Sequence, residues 1–165
     1  MLERPCPQCG YDAATVTDVP ARTRAAVAAM QAALRSPGAA ERPSPEVWSV
    51  LEYGAHVRDV CIVFGTRLAA MRGTHDPQFP NWDQDQTALS DRYWEQDPAV
   101  VADELGVEGE RIAADFATVR EDEWSRPGRR SNGSVFTVDT LARYFLHDLD
   151  HHVHDVTSGG AAAAP

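Results

Sequence analysis

Residues 144–156 read Y-F-L-H-D-L-D-H-H-V-H-D-V and hold four of the six histidines of the 165-residue chain. The apolar residues of this stretch recur at helical spacing, which predicts an amphipathic helix. Packing alone rarely gathers so many imidazoles beside three aspartates, because each imidazole needs a partner and each carboxylate prefers water. A bound metal ion would explain the cluster.

Apolar periodicity and capping signals predict four helical segments, at about 22–34, 44–71, 87–119 and 139–158. Ser44, with a proline after it, is the predicted N-cap of the second helix. The third segment is predicted to be interrupted near Asp97, which caps the helix that begins after the interruption. Thr137 or Asp139 caps the fourth helix. Turn residues at 123–134 predict a short hairpin. The pattern as a whole predicts an all-α four-helix bundle.

The length suits one domain, which we expect at residues 21–160, with an irregular arm at 1–20 and a frayed tail at 161–165. No apolar run is long enough to span a bilayer, and the first residues lack a secretory signal, so we expect a cytoplasmic protein without a membrane partner. The formal net charge of −10 argues against nucleic acid and favours a small-molecule partner. The oligomeric state stays open, a homodimer included.

The last helix offers two alternative pairs of metal ligands. At about 100° per residue, Asp148 and His152 fall on its apolar face, whereas His147 and His151 fall on an outer stripe. Residues four apart lie one above the other, so either pair suits an ion and the spacing does not choose between them. His56, at the border of the apolar stripe of the second helix, is the candidate third ligand. Taken alone, His56 would more simply be a core histidine bonded to a backbone carbonyl.

Three segments resemble the DinB/YfiT-like four-helix proteins, which include bacillithiol and mycothiol S-transferases and mycothiol-dependent maleylpyruvate isomerase. They are H-V-R-D-V at 56–60, F-P-N-W-D-Q-D at 79–85 and H-D-L-D-H-H-V-H-D-V at 147–156. The resemblance covers most of the chain and implies a DinB-like bundle. It also implies one divalent ion, zinc by preference and otherwise nickel, manganese or iron, held by His56, Asp148 and His152.

Asp148 departs from the family pattern, because many members carry His or Glu at this position. An aspartate side chain is shorter than that of His or Glu. Either the ion therefore lies closer to the helix, or His147 and His151 are the ligand pair instead. Asp155 and Asp59 are the candidates for orienting a ligating imidazole and supporting catalysis.

The function implied by the resemblance is thiol S-transfer or hydrolysis on a small electrophilic molecule. The thiol would be mycothiol if the Arg- and Ala-rich composition indicates a high-GC actinobacterium. The alternative is a non-catalytic metal-binding or stress-response protein with the same bundle. A DNA-damage protein that acts on nucleic acid is disfavoured by the acidic charge.

Cys6 and Cys9 form a C-x-x-C motif in the arm, which supplies half of a zinc site. Two of the outer histidines His147, His151 and His154 would complete a second, structural Cys2His2 site if the arm folds against the last helix. A redox pair is the competing interpretation, although no thioredoxin-like pattern accompanies the motif.

Overall fold

Four long helices carry the fold, as the sequence predicts. The computed structural model describes residues 5–15 and 17–158. Its helices are α1 Val19–Leu34, α2 Val50–Gly73, α3 Gln84–Ser90, α4 Pro98–Ala117 and α5 Val138–Thr157, and its strands are β1 Gln78–Phe79, β2 Pro127–Arg130 and β3 Val135–Thr137. Single 3₁₀ turns lie at Ala13–Thr15, Tyr93–Glu95 and Glu121–Glu123. α1 and α2 each pack on both α4 and α5. The predicted tail lies outside the described residues.

The core of the bundle is aromatic at its centre. Phe145 of α5 is fully buried, and its ring centroid lies 5.6 Å from that of Phe64 and 5.8 Å from that of Phe116. These three rings come from α5, α2 and α4, so they join three of the four long helices. Aromatic pairs at this separation contribute about 0.5–1.5 kcal/mol each beyond their buried area. No helix of the described chain is both long enough and apolar enough to cross a lipid bilayer.

The second helix begins later than predicted. Ser49, not Ser44, is its N-cap, and the Ser49 side chain accepts the backbone N–H of Glu52. The Glu52 carboxylate accepts the backbone N–H of Ser49 in return, at 2.8 Å. This reciprocal pair outcompetes the Ser-Pro signal, because it satisfies two helix-end groups at once. Ser44 instead forms an isolated bridge with Val47.

The other helix boundaries follow the sequence more closely. Asp97 caps α4 as predicted, accepting the backbone N–H groups of Ala99 and Val100. Thr137, rather than Asp139, caps α5.

A three-stranded sheet closes one side of the bundle. The predicted hairpin is present as antiparallel β2 and β3, with Gly128 opposite Phe136. No periodicity in the sequence predicts β1, which pairs in parallel with β2 so that Gln78 lies opposite Arg129. This pairing fastens the segment after α2 to the hairpin that leads into α5.

Gly54 and Gly65 both lie inside α2, and alanine should have opposite effects at the two positions. A Cβ on Gly54 would stand 2.6 Å from Cδ2 of the buried Leu34. The resulting overpacking should lower the free energy of unfolding by about 1–3 kcal/mol. A Cβ on Gly65 meets no atom within 4 Å, so Gly65→Ala should raise stability by about 0.5–1 kcal/mol through helix propensity. Urea unfolding of both variants measures this, and changes of the same sign would contradict it.

Candidate metal centre

His56, Asp148 and His152 converge between α2 and α5. Nε2 of His56 lies 3.4 Å from Oδ1 of Asp148, and Nε2 of His152 lies 3.2 Å from the same oxygen. One ligand atom from each of the three residues lies within 4.8 Å of the other two. The helical spacing of Asp148 and His152 and the antiparallel packing of α2 on α5 produce this arrangement. The structure thus brings together the first of the two predicted ligand sets.

The three side chains differ in their access to solvent. The side chain of His56 is fully buried, whereas that of Asp148 is 16% exposed. The His152 side chain is 11% exposed, so the cluster meets solvent at Asp148 and His152, whereas His56 lies at its buried end. The environment of His56 does not match a core histidine bonded to a carbonyl, because its Nδ1 has no hydrogen-bond partner within the described chain.

Aromatic rings hold the His56 imidazole in place. The ring of Trp82 stacks on it at 5.4 Å with an interplanar angle of 5°, and Trp48 lies 5.8 Å away. Tyr53, one turn before His56, places its ring 5.2 Å from that of His152. Of these rings, the sequence suggests Trp82 as a pocket wall, together with Phe79 of the same loop. The i, i+3 spacing of Tyr53 and His56 was the available signal for Tyr53.

Asp155 lies where the sequence predicts it, behind His152. Its Oδ2 is 3.0 Å from Nδ1 of His152, so Nε2 of the same ring is directed toward His56 and Asp148. Such a carboxylate fixes the tautomer and orientation of a ligating imidazole. Asp59 does not contact an imidazole, because its carboxylate accepts hydrogen bonds from Arg58 and Tyr93. The predicted role of Asp59 at the cluster therefore lacks a contact.

The charges of the cluster are strongly coupled. Burial opposes ionisation of Asp148, but its contacts with His152 and His56 hold its pKa far below the usual range. Burial also opposes the charged form of His152, yet Asp148 and then Asp155 raise its pKa to about 9. Asp148 thus favours its anionic form and His152 its cationic form, and each stabilises the charge of the other. Two imidazole nitrogens and a carboxylate oxygen are a donor set that suits a divalent ion.

The sequence profile of the DinB superfamily matches residues 15–156. The chain belongs to the DinB superfamily. A solved structure similar to this DinB-superfamily chain is that of YfiT from Bacillus subtilis, described as a probable metal-dependent hydrolase with an unusual four-helix bundle topology. The TM-score is 0.76 at 16% sequence identity, and the match covers 86% of this chain and 83% of that chain. A likeness at this identity shows the fold. No curated protein matches the sequence.

The outer histidines of this DinB-superfamily protein face the arm instead of His56. One ligand atom from each of Cys6, Cys9, His147 and His151 lies within 4.8 Å of the other three. The structure therefore separates the two predicted pairs and assigns them to two different clusters. His154, the third outer histidine, contacts the Ser158 hydroxyl at 3.2 Å instead.

The hairpin arginines lie in different environments. The sequence favours solvated side chains here, and Arg129 fits that expectation, because it is exposed and pairs with Asp76. Arg130 does not, because its guanidinium lies 5.2 Å from the ring centroid of Phe136 and 5.8 Å from that of Tyr144. Its buried Nε has no hydrogen-bond partner within residues 5–15 and 17–158.

A cavity of about 450 Å³ lies beside Arg130, between the hairpin and α5. Phe136 and Tyr144 also line it, and Tyr144 lies one helical turn before Asp148. Arg67, missed by the sequence analysis, is buried nearby. Burial, together with the charge of Arg130, lowers the pKa of Arg67 to about 10. The cavity itself is lined by two arginines, Arg130 and Arg143, together with its aromatic walls, so it suits a small ligand that carries negative charge.

Asp155→Asn should weaken binding of a divalent ion at the His56 cluster about 10- to 100-fold, because the support behind a ligating imidazole is lost. Competition with a chromophoric chelator measures the affinity. Asp59→Asn is the matched control, since its contacts are with Arg58 and Tyr93. We expect that control to keep the wild-type affinity, and equal losses in both variants would contradict a specific role for Asp155.

Proposed function

We propose that this protein is a divalent-metal-dependent enzyme that acts on a small electrophilic molecule, with the ion held by His56, Asp148 and His152. The observation that carries the proposal is the convergence of these three ligand atoms, within 4.8 Å of one another, where Asp148 and His152 are partly exposed to solvent and His56 is fully buried. The description of YfiT as a probable metal-dependent hydrolase supports the same class of activity.

The donor set fits a catalytic ion better than a structural one. Three protein ligands leave at least one coordination position for a reacting molecule. Zinc suits two nitrogens and one oxygen, and nickel, manganese or iron also accept such ligands. When bound, the ion would supply Lewis acidity and make a thiol or a water molecule a stronger nucleophile at neutral pH.

The protein's own residues supply orientation and protection from water. Asp155 keeps Nε2 of His152 directed into the cluster. The stacked ring of Trp82 fixes His56 and excludes water from its buried side. A fixed geometry matters because reacting groups held in place avoid much of the entropy cost of encounter.

The cavity beside Tyr144 is the proposed place for the electrophile. Its volume of about 450 Å³ suits a small molecule. Arg130 would hold an anionic group of the substrate. Among the two possible reactions, S-transfer forms a carbon–sulfur bond as the leaving group departs with its electron pair, and the thiol proton passes to solvent. Hydrolysis forms the corresponding carbon–oxygen bond from water. The proposed thiol is a low-molecular-weight one of the mycothiol type.

The test is a product assay on the metal-loaded protein. An electrophilic alkyl halide that carries a carboxylate is incubated with and without mycothiol, cysteine or glutathione, and products are identified by mass spectrometry. A thioether that requires both the protein and a thiol indicates a transferase, whereas a product formed without thiol indicates a hydrolase. His75→Ala, at an exposed position on the segment after α2, should retain the activity.

A non-catalytic metal-binding protein is the competing function. It predicts a full complement of metal but no turnover with any thiol or electrophile, and no change in metal affinity when the electrophile is added. That pair of results would overturn the enzyme proposal while leaving the ligand assignment intact.

A further inference from the structure

The arm of the protein forms a turn that directs two thiols toward α5. The backbone N–H of Gly10 donates to the carbonyl of Cys6 at 2.9 Å, and the N–H of Cys6 donates to the carbonyl of Tyr11 at 2.8 Å. Gly10 adopts φ +74°, which a residue with a side chain rarely adopts. This turn places Cys6 and Cys9 side by side, and both are free thiols.

Two imidazoles meet these thiols from one face of α5. His147 and His151 are four residues apart, and Sγ of Cys6 lies 3.8 Å from Nδ1 of His151. Nε2 of His147 is buried and has no hydrogen-bond partner in the part of the chain that the structure describes. A buried ring nitrogen without a partner is costly unless another ligand satisfies it.

We propose that Cys6, Cys9, His147 and His151 bind a second divalent ion, of the zinc type. Two thiolates and two imidazoles complete a tetrahedral sphere, which is the composition of closed structural zinc sites. No position is left for a substrate, so this ion would have a structural role. A redox pair would use the two thiols alone and would give no reason for both imidazoles to converge on them.

The consequence of the second ion is attachment of the arm to α5. Without it, the arm is held by weaker contacts, such as the hydrogen bond from the Tyr11 hydroxyl to the carbonyl of Arg143 at 2.6 Å and the placement of Arg22 over the Tyr11 ring at 5.4 Å. An ion that binds the arm when it is docked on α5, and not when it is detached, would stabilise the docked arrangement by mass action.

The second cluster also touches the first through one carboxylate. Oδ2 of Asp155 lies 3.0 Å from Nδ1 of His152 and 3.8 Å from Nε2 of His151. Nδ1 of His151 faces Cys6 and its Nε2 faces Asp155, so this imidazole lies between the second cluster and the carboxylate that supports the first. The second ion would therefore fix His151, and with it the position of Asp155 behind His152. This coupling rests on the proposed metal centre at His56, whereas the second ion itself does not.

The test counts ions and identifies their ligands separately. The full chain is expressed with zinc, purified under reducing conditions and analysed for metal, and a second sample is loaded with cobalt. Wild-type protein expressed with zinc should contain two zinc ions per chain. The cobalt-loaded wild type should show thiolate-to-cobalt charge-transfer absorption. The double variant Cys6→Ser/Cys9→Ser should lose one ion and the whole of this absorption. His154→Ala, on the same helix but in contact with Ser158, should match the wild type.

The two sites can fail independently in this design. His56→Ala should lose one zinc ion but keep the thiolate absorption, so loss of the absorption in this variant would contradict two separate sites. A wild-type chain with one zinc ion and no thiolate absorption would overturn the second site alone. If the double variant does not fold, cobalt titration of His56→Ala still decides, because only the second site then remains and its thiolate band must saturate at one equivalent per chain.

Discussion

His56→Ala should weaken binding of the central ion by more than about 100-fold, a larger effect than the loss of a supporting residue, because a direct ligand disappears. The remaining two ligands, Asp148 and His152, both come from α5, so the ion would lose its connection to α2. Turnover that depends on the ion should fall at least as far. The affinity is measured by competition with a chromophoric chelator, and turnover by the product assay.

Stability measurements on this variant distinguish the role of His56 as a metal ligand from its role in packing. The His56 side chain is fully buried between Trp82 and Trp48, so its removal leaves a cavity and should lower the free energy of unfolding by about 1–3 kcal/mol in the metal-free protein. Zinc should raise the melting temperature of the wild type much more than that of the variant. His75→Ala is the control. An undiminished zinc affinity in His56→Ala would contradict the central site.

Glu52→Gln should lower the free energy of unfolding by about 2–3 kcal/mol, because a buried carboxylate with several charged and polar partners is replaced. The Glu52 side chain is 2% exposed and accepts hydrogen bonds from Arg42 and from both the backbone N–H and the hydroxyl of Ser49. The amide can accept at only one atom and carries no charge. The melting temperature should fall by about 4–10 °C for a chain of this size.

The effect of Glu52→Gln should also depend on pH. Burial raises the pKa of Glu52, but the contacts with Arg42 and Ser49 outweigh burial and hold it below the usual value. A carboxyl whose pKa is lowered by folding contributes its full stability above the unfolded value of about 4.3 and loses it as the pH falls through the folded value. The difference between wild type and variant should therefore shrink below about pH 4.

A suitable control for Glu52→Gln is Glu46→Gln, because Glu46 is exposed in the segment that leads into α2. It should change the free energy of unfolding by less than about 0.5 kcal/mol. Urea unfolding at pH 7 and at acid pH compares all three proteins. Equal destabilisation by both substitutions would show that general charge, and not the contacts of Glu52, is responsible.

The two ligands that α5 supplies to the central cluster were predictable from the sequence because their relative position is local to one helix. Asp148 and His152 share a face of α5, and that face is apolar, so their direction follows from helical periodicity. The choice between this pair and His147 with His151 was not predictable from spacing. That distinction depends on the docking of the arm, which brings Cys6 and Cys9 next to His147 and His151.

The errors of the sequence analysis come from competition between local signals and tertiary contacts. Ser44 and Ser49 are both plausible caps, and Ser49 is used because Glu52 completes a capping box with it while pairing with Arg42, ten residues earlier. Asp59 shares a helix with His56, but its carboxylate accepts hydrogen bonds from Tyr93 and Arg58 instead. Strand β1 has two residues and no periodicity, so only its pairing with β2 reveals it.

The attachment of the segment after α2 to the hairpin has an evolutionary consequence. The candidate ligands at His56, Asp148 and His152 lie on the bundle, whereas Phe136, Arg130 and Trp82 lie on the connecting segments joined by β1 and β2. Insertions and substitutions in these segments can change the shape and charge of the cavity without repacking the helices. Under the proposed function, related chains would diverge in substrate preference while the metal ligands stay constant, because the two properties belong to different parts of the molecule.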